Sequence, residues 1–182
     1  MIPFSKLAAI ATITITSAAT AVSAGAQQRN PVELGIDARV ATTVGSSPNL
    51  TTVAIPAASF RVGFFVNPRI SVEPRLGVVS TSGGGSTFTV YTGSVGMLYH
   101  FSKNQPVGTG VYARPFIGIT GTSGGGTSDH EANIGVGLGV KIPFASRLAT
   151  RLEANYAHSF KSGSVPSMNQ IGADIGLSFF TR

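Results

Sequence analysis

From residue 32 onward, apolar side chains fall on every second position, with polar, charged or glycine residues between them. A period of two marks extended strands that keep one face apolar and the other polar. Eight segments follow this pattern. In 32–42, Val32, Leu34, Ile36, Ala38 and Val40 oppose Glu33, Asp37 and Arg39. In 53–66, Ala58, Phe60, Val62 and Phe64 oppose Ser59, Arg61 and Gly63. In 69–79, Ile70, Val72, Pro74, Leu76 and Val78 oppose Ser71, Glu73, Arg75 and Gly77. In 87–101, Val95, Met97, Tyr99 and Phe101 oppose Ser94, Gly96, Leu98 and His100. In 111–121, Val111, Ala113, Ile117 and Ile119 oppose Tyr112, Arg114, Phe116 and Gly118. The run 131–144 is the cleanest: Ile134, Val136, Leu138, Val140 and Ile142 oppose Asn133, three glycines and Lys141. In 147–160, Leu148, Leu152, Ala154 and Tyr156 oppose Arg151, Glu153 and Asn155. In 170–182, Ile171, Ala173, Ile175, Leu177 and Phe179 oppose Gly172, Asp174, Gly176 and Ser178. Pro74 and Pro115 lack a backbone donor, so a bulge is expected at each.

The connections alternate in character. NPR (67–69) and FASR (144–147) are tight, whereas VGSSPNLTT, STSGGGS, GTSGGGTSDH and KSGSVPSMN are longer and rich in Gly and Ser. Short turns are therefore expected at one end and flexible loops, with the GGG runs 83–85 and 124–126 as tips, at the other. The connection 102–110 belongs to the short end but is longer than the other two there.

Which face is wet decides the class. A soluble barrel carries its charge outside; a membrane barrel is apolar outside and polar within. Nearly every mid-strand charge lies on the polar face. The acids are Glu33, Asp37, Glu73, Glu131, Glu153 and Asp174; the bases are Arg39, Arg61, Arg75, Arg114, Lys141 and Arg151. Equal numbers suit a narrow closed lumen, where unpaired charge is costly. Five of the six bases are arginine, whose planar fork binds carboxylates bidentately. Glycines on the same face leave room inside an eight-stranded barrel. Aromatics gather by height: Phe64, Phe65, Tyr99, Phe101, Phe116, Phe144, Phe179 and Phe180 near the short turns, and Phe88, Tyr91, Tyr156 and Phe160 near the long loops. Such belts flank an apolar band in transmembrane barrels. Phe64, Tyr99, Phe101, Phe144, Tyr156 and Phe179 are the girdle candidates. Lipid forbids an open sheet edge, so the first strand is expected to pair with the eighth.

Composition narrows the field. Charged residues make up only 11% of the 182, against about 25% in soluble domains. No cysteine is present, which excludes disulfides, thiolate metal sites and a cysteine nucleophile. The net charge of +6 is scattered without a Lys/Arg run, which argues against a nucleic-acid partner. Residues 1–26 carry Lys6, an uncharged stretch from Leu7 to Val22, and small-residue cleavage patterns at 22–24 and 24–26. They read as a cleaved export signal, leaving 27–182 as the barrel.

On these residues the chain resembles the small eight-stranded outer-membrane β-barrels of the OmpA/OmpX-type superfamily, barrel domain only. The resemblance rests on ANIGVGLGVKIPF, ARPFIGITG and IGADIGLSFF and covers nearly all of 27–182. It implies an all-β, antiparallel up-and-down transmembrane barrel in a bacterial outer membrane. It also implies that an aromatic in the last strand, Phe179 or Phe180, is the signal read by the barrel-assembly machinery. Periplasmic chaperones and outer-membrane lipids would be the other partners. The family often ends on that aromatic, whereas Thr181 and Arg182 follow it here. No peptidoglycan-binding domain of the OmpA type is expected after Arg182.

Candidate chemistry is sparse. His158 and Ser159 sit at the long-loop rim, but adjacent strand residues point to opposite faces and cannot act together. Asp129, His130 and Glu131 are expected in a solvated loop, and His100 on the lumen side near the short turns. No catalytic residue, metal or cofactor is expected. Three functional readings follow: a monomeric structural or surface-interaction barrel with a charge-filled, poorly conducting lumen; a narrow pore or carrier for small solutes; and a soluble lipocalin-like barrel.

Overall fold

A computed structural model of the chain shows eight antiparallel strands closed into one barrel, each paired with its sequence neighbours. The structure describes residues 31–44, 51–83, 86–102, 109–124, 127–160 and 167–181. The expected signal segment therefore lies outside the described residues, as do 103–108 of the longer connection. The strands are β1 (Val32–Val44), β2 (Thr51–Asn67), β3 (Ile70–Gly83), β4 (Ser86–His100), β5 (Gly110–Gly124), β6 (Thr127–Ala145), β7 (Leu148–Ser159) and β8 (Met168–Phe180). The shortest, β7, has 12 residues, above the roughly 9–11 that a tilted strand needs to cross a bilayer core.

β1 closes the barrel on β8, in register from Glu33↔Phe180 to Val44↔Asn169. One residue beyond β8, Thr181 donates its N–H to the Val32 carbonyl and accepts the Val32 N–H on its hydroxyl, both at 2.9 Å. Thr181, which follows the two phenylalanines, thus secures the seam.

The alternation sets the two faces. Leu76, Ile117, Leu138 and Ile175 point outward and are more than half exposed, while Arg61, Glu73 and Arg151 are fully buried within. This polarity is the reverse of a soluble barrel and overturns the lipocalin-like reading. Phe64, Tyr99, Phe101, Phe144, Tyr156 and Phe179 all lie exposed on the outer wall. Phe65, Phe116 and Phe180 do not: each is buried inside. Height along the strand suggested a belt for these three, but strand parity governs which way a side chain faces.

Neither Pro74 nor Pro115 produces a bulge. Pro74 stays in register with Val95 of β4, while pairing with β2 is interrupted between Arg61↔Arg75 and Phe64↔Val72. Pro115 stays in register with Val136 of β6, and pairing with β4 breaks between Gly96↔Phe116 and Tyr99↔Ala113. A strand N–H serves only one neighbouring strand, so each proline weakens one side and leaves the other to hold the register. The large irregularity lies elsewhere: between Asp37↔Ser59 and Arg39↔Ala54, β2 spends four residues opposite one of β1.

The loop expectation also changes. β3 and β4 pair out to Gly83↔Ser86, and β5 and β6 out to Gly124↔Thr127. Most of the glycine-rich segments are therefore strand. Asp129, His130 and Glu131 belong to β6, paired with Thr122, Gly121 and Thr120, because cross-strand pairing satisfies backbone groups that a loop would leave to water.

Candidate functional site

Among the described residues, the ion pairs lie on the inward face of the barrel, so the site is the lumen. There, among the described residues, five carboxylates and six bases form one connected set of ion pairs, joined across its middle by Arg61–Glu73 at 3.6 Å and Arg75–Asp37 at 3.9 Å. Glu33 on β1 is clasped between Arg61 of β2 and Lys141 of β6. Arg61 also donates from Nε to Asp37 at 3.0 Å and from Nη2 to the Ser178 hydroxyl at 2.7 Å. Glu73 accepts from Arg75 Nε at 2.8 Å and Arg151 Nη1 at 2.6 Å. Glu153 is the hub of the middle layer. It receives Arg114 Nη2 at 2.6 Å, Arg75 Nη2 at 3.2 Å and an Arg151 nitrogen. Asp174 accepts from Arg39 Nε at 2.7 Å and Arg75 Nη1 at 3.1 Å.

Two sequence-derived positions differ from the rest. Arg39 is the outermost member, with its side chain 31% exposed. Glu131 stands outside the network: its Oε1 accepts the Ser159 hydroxyl at 3.0 Å, and its Oε2 has no partner among the described residues. The expected balance of charges is therefore broken, because the connected set is one carboxylate short. Aromatic faces compensate in part. Arg151 Cζ lies 4.7 Å from the Tyr112 ring centre, Lys141 Nζ 5.3 Å from the same ring, and Arg114 Cζ 4.3 Å from that of Phe116. A ring face attracts a cation more strongly when both are desolvated.

Tyr112 is the functional residue that charge counting misses. It is fully buried, and its hydroxyl donates to Glu153 Oε2 at 2.8 Å. Its parity with Arg114 is the signal that places it in the lumen. Glycines make room for these groups. A Cβ at Gly137 would sit 2.8 Å from the Glu153 carboxyl carbon, and one at Gly35 would run into the Arg61 guanidinium.

Toward the end carrying residues 32 and 180 the lumen turns apolar. Phe65, Phe180 and Ala149 form a buried cluster. His100 stacks on Phe65 with ring centres 5.6 Å apart, and its Nε2 lies 3.5 Å from the Ser71 hydroxyl. At the opposite rim His158 and Ser159 diverge. His158 Nδ1 and the Tyr156 hydroxyl both bond Asn169 Oδ1 at 2.8 Å, whereas Ser159 serves Glu131.

The family model for the outer membrane protein beta-barrel domain matches residues 10–179. The chain belongs to that family. Membership in an outer-membrane family implies an outer-membrane location for this barrel. Among solved structures, Neisserial surface protein A (NspA) is similar at 14% identity with a TM-score of 0.58, covering 83% of this chain and 99% of that one. Ail, the attachment invasion locus protein of Yersinia pestis, solved with the heparin analogue sucrose octasulfate, is similar at 10% identity with a TM-score of 0.50, covering 85% and 100%. The N-terminal β-barrel domain of Pseudomonas aeruginosa OprF aligns at 19% identity with a TM-score of 0.48, covering 84% and 100%. These likenesses concern the fold. No curated protein sequence matches the chain.

Proposed function

We propose that this outer-membrane barrel is a non-catalytic, monomeric protein with a structural or surface-interaction role, and that its lumen conducts poorly. The observation that carries the proposal is the continuous charge network from Arg39 to Lys141, followed by the apolar cluster at Phe65 and Phe180. Ions crossing the barrel would have to displace buried pairs and then pass a dry constriction. Small barrels of eight strands have interiors that side chains fill. In the same proposal residues 1–26 are a cleaved signal, the end carrying both described termini faces the periplasm, and the assembly machinery reads Phe179 or Phe180. Of these two, Phe179 is the outward-facing one.

Planar-bilayer recording of the purified, detergent-folded protein tests the lumen reading. The expected trace is quiet apart from rare, irregular openings. Steady channels of uniform size would replace this reading with the narrow-pore alternative. That alternative draws its support from the glycines facing the ion pairs, which leave the charged side chains without flanking bulk.

A further inference from the structure

The two tight turns at the rim carrying residues 32 and 180 repeat one arrangement. Pro68–Arg69 joins β2 to β3, and Ser146–Arg147 joins β6 to β7. In both, arginine is the last residue before the next strand. The Arg69 carbonyl accepts the His100 N–H of β4 at 2.7 Å, and the Arg147 carbonyl accepts the Phe180 N–H of β8 at 2.9 Å. Each arginine backbone is thus tied to a further strand and stays fixed at the rim. Asn67 Oδ1 tightens the first turn by accepting the N–H groups of Arg69 and Ile70 at 2.8 and 2.9 Å. The two turns are four strands apart in a ring of eight, so they stand on opposite sides of the barrel.

The side chains of these two residues set them apart from the lumen arginines. Arg39, Arg61, Arg75, Arg114 and Arg151 each hold a carboxylate. Arg69 and Arg147 are half-buried, and among the described residues neither side chain has a hydrogen bond or ion pair. No acid lies in either turn, nor anywhere in the remaining connection at this rim, residues 102–109, which carries Lys103. Phe64, Phe144 and Phe179 are exposed on the outer wall beside these turns. Aromatic belts mark the level of lipid headgroups in transmembrane barrels, so the two turns that carry Arg69 and Arg147 stand beside that level.

We propose that Arg69 and Arg147 are paired anchors for anionic phospholipid headgroups of the leaflet around this rim. The inference rests on the membrane insertion read above. A guanidinium fork binds phosphate bidentately, and the leaflet supplies phosphate beside turns that carry no acidic side chain. Two opposed anchors also hold the barrel upright. Tilting lifts one arginine out of the headgroup layer and drives the other toward hydrocarbon, where a charge is costly.

The test uses the folded full chain in phosphatidylcholine vesicles and in vesicles doped with phosphatidylglycerol. Native mass spectrometry of the extracted barrel then measures which lipid it retains. Wild type should prefer phosphatidylglycerol by roughly fivefold per arginine at low ionic strength, with the preference fading as salt rises. The Arg69→Gln/Arg147→Gln variant should lose the preference, while Lys161→Gln, in a connection at the other rim, should keep it. Equal retention by wild type and the double variant would overturn the proposal. So would arginine-dependent capture of soluble polyglutamate by the barrel without any lipid preference, since that would make the rim a site for acidic polymers. Failure to enter either vesicle would overturn the membrane reading itself, a result distinct from entry without selectivity.

Discussion

Replacing Arg61 with methionine tests the lumen network most directly. The substitution removes the charge and keeps much of the volume. Arg61 is fully buried and serves Glu33, Asp37, the Ser178 hydroxyl and the Leu177 carbonyl. Without it, Glu33 retains Lys141 and the Ser178 hydroxyl at 2.8 Å. Asp37 fares worse: its remaining contacts are the Ser59 hydroxyl at 3.4 Å and Arg75 at 3.9 Å. Removing one partner of a buried pair costs about 3–5 kcal/mol, because the other charge is left uncompensated. Most of that cost should fall on Asp37, so adding Asp37→Asn should recover about 0.5–3 kcal/mol, the size of coupling expected between contacting residues. Arg39→Met is the internal comparison. Arg39 is partly exposed, and its partner Asp174 keeps Arg75 at 3.1 Å and the Asn155 amide at 3.3 Å, so the loss should be below about 1 kcal/mol, the ceiling for exposed pairs. Urea unfolding of the folded barrel in micelles or thin bilayers measures all three, with unchanged m-values licensing the comparison. The reasoning fails if Arg61→Met lies within about 0.5 kcal/mol of wild type, the range of a neutral surface change, or costs no more than Arg39→Met.

Further substitutions probe other parts of the barrel. Tyr112→Phe keeps the ring under Arg151 and Lys141 but removes the hydroxyl at 2.8 Å from Glu153; urea unfolding should show a loss of about 1.5–3 kcal/mol, typical of a hydrogen bond to a charged group. Gly139→Ala would place a Cβ against the Tyr112 hydroxyl and 2.6 Å from the Leu152 carbonyl oxygen, whereas at Gly93 the nearest atom is 3.6 Å away. The first should therefore cost about 1–3 kcal/mol through overpacking and the second far less; equal melting temperatures would contradict the packing argument. Phe179→Ala should lower the amount of barrel assembled in cells with little effect on the melting temperature of what folds, and Phe180→Ala should lower that melting temperature, because Phe179 faces outward and Phe180 packs on Phe65. Pulse–chase assembly and thermal unfolding of both variants separate the two effects.

Much of the fold was legible because one physical rule, period-two alternation, applies to every strand. The faces of Arg61, Glu73 and Asp174 could be read from their immediate neighbours alone. What could not be read depends on partners far away in sequence. Pro74 and Pro115 remain in register because the strand on their other side carries the pairing, and no local signal shows which side that is. Asp129 to Glu131 became strand because β5 extends alongside them, although Gly and Ser dominate the segment. In the lumen, counting charges predicted balance. Glu131, however, projects at the mouth beside Ser159, and Tyr112 takes part of its place through a ring face that carries no formal charge. Height along the strand groups Phe65 and Phe180 with the belt, whereas their parity with Arg61 and Ser178 turns them inward.

The closing seam has a consequence for how the barrel comes together. Arg61 on β2 reaches Ser178 and Leu177, Arg39 on β1 reaches Asp174, and Glu33 on β1 accepts from Ser178. All of these acceptors and donors sit on the last strand, with sequence separations of 116 to 145 residues. No nascent sheet lacking β8 can satisfy those groups. Its interior must stay hydrated until the last strand docks, and drying of the lumen is then coupled to completion of the chain. Contacts of such high sequence separation make for slow acquisition of structure. The same bonds that fill the pore therefore act as a proofreading step: a barrel with its final strand misplaced keeps wet, unneutralised charge at its centre.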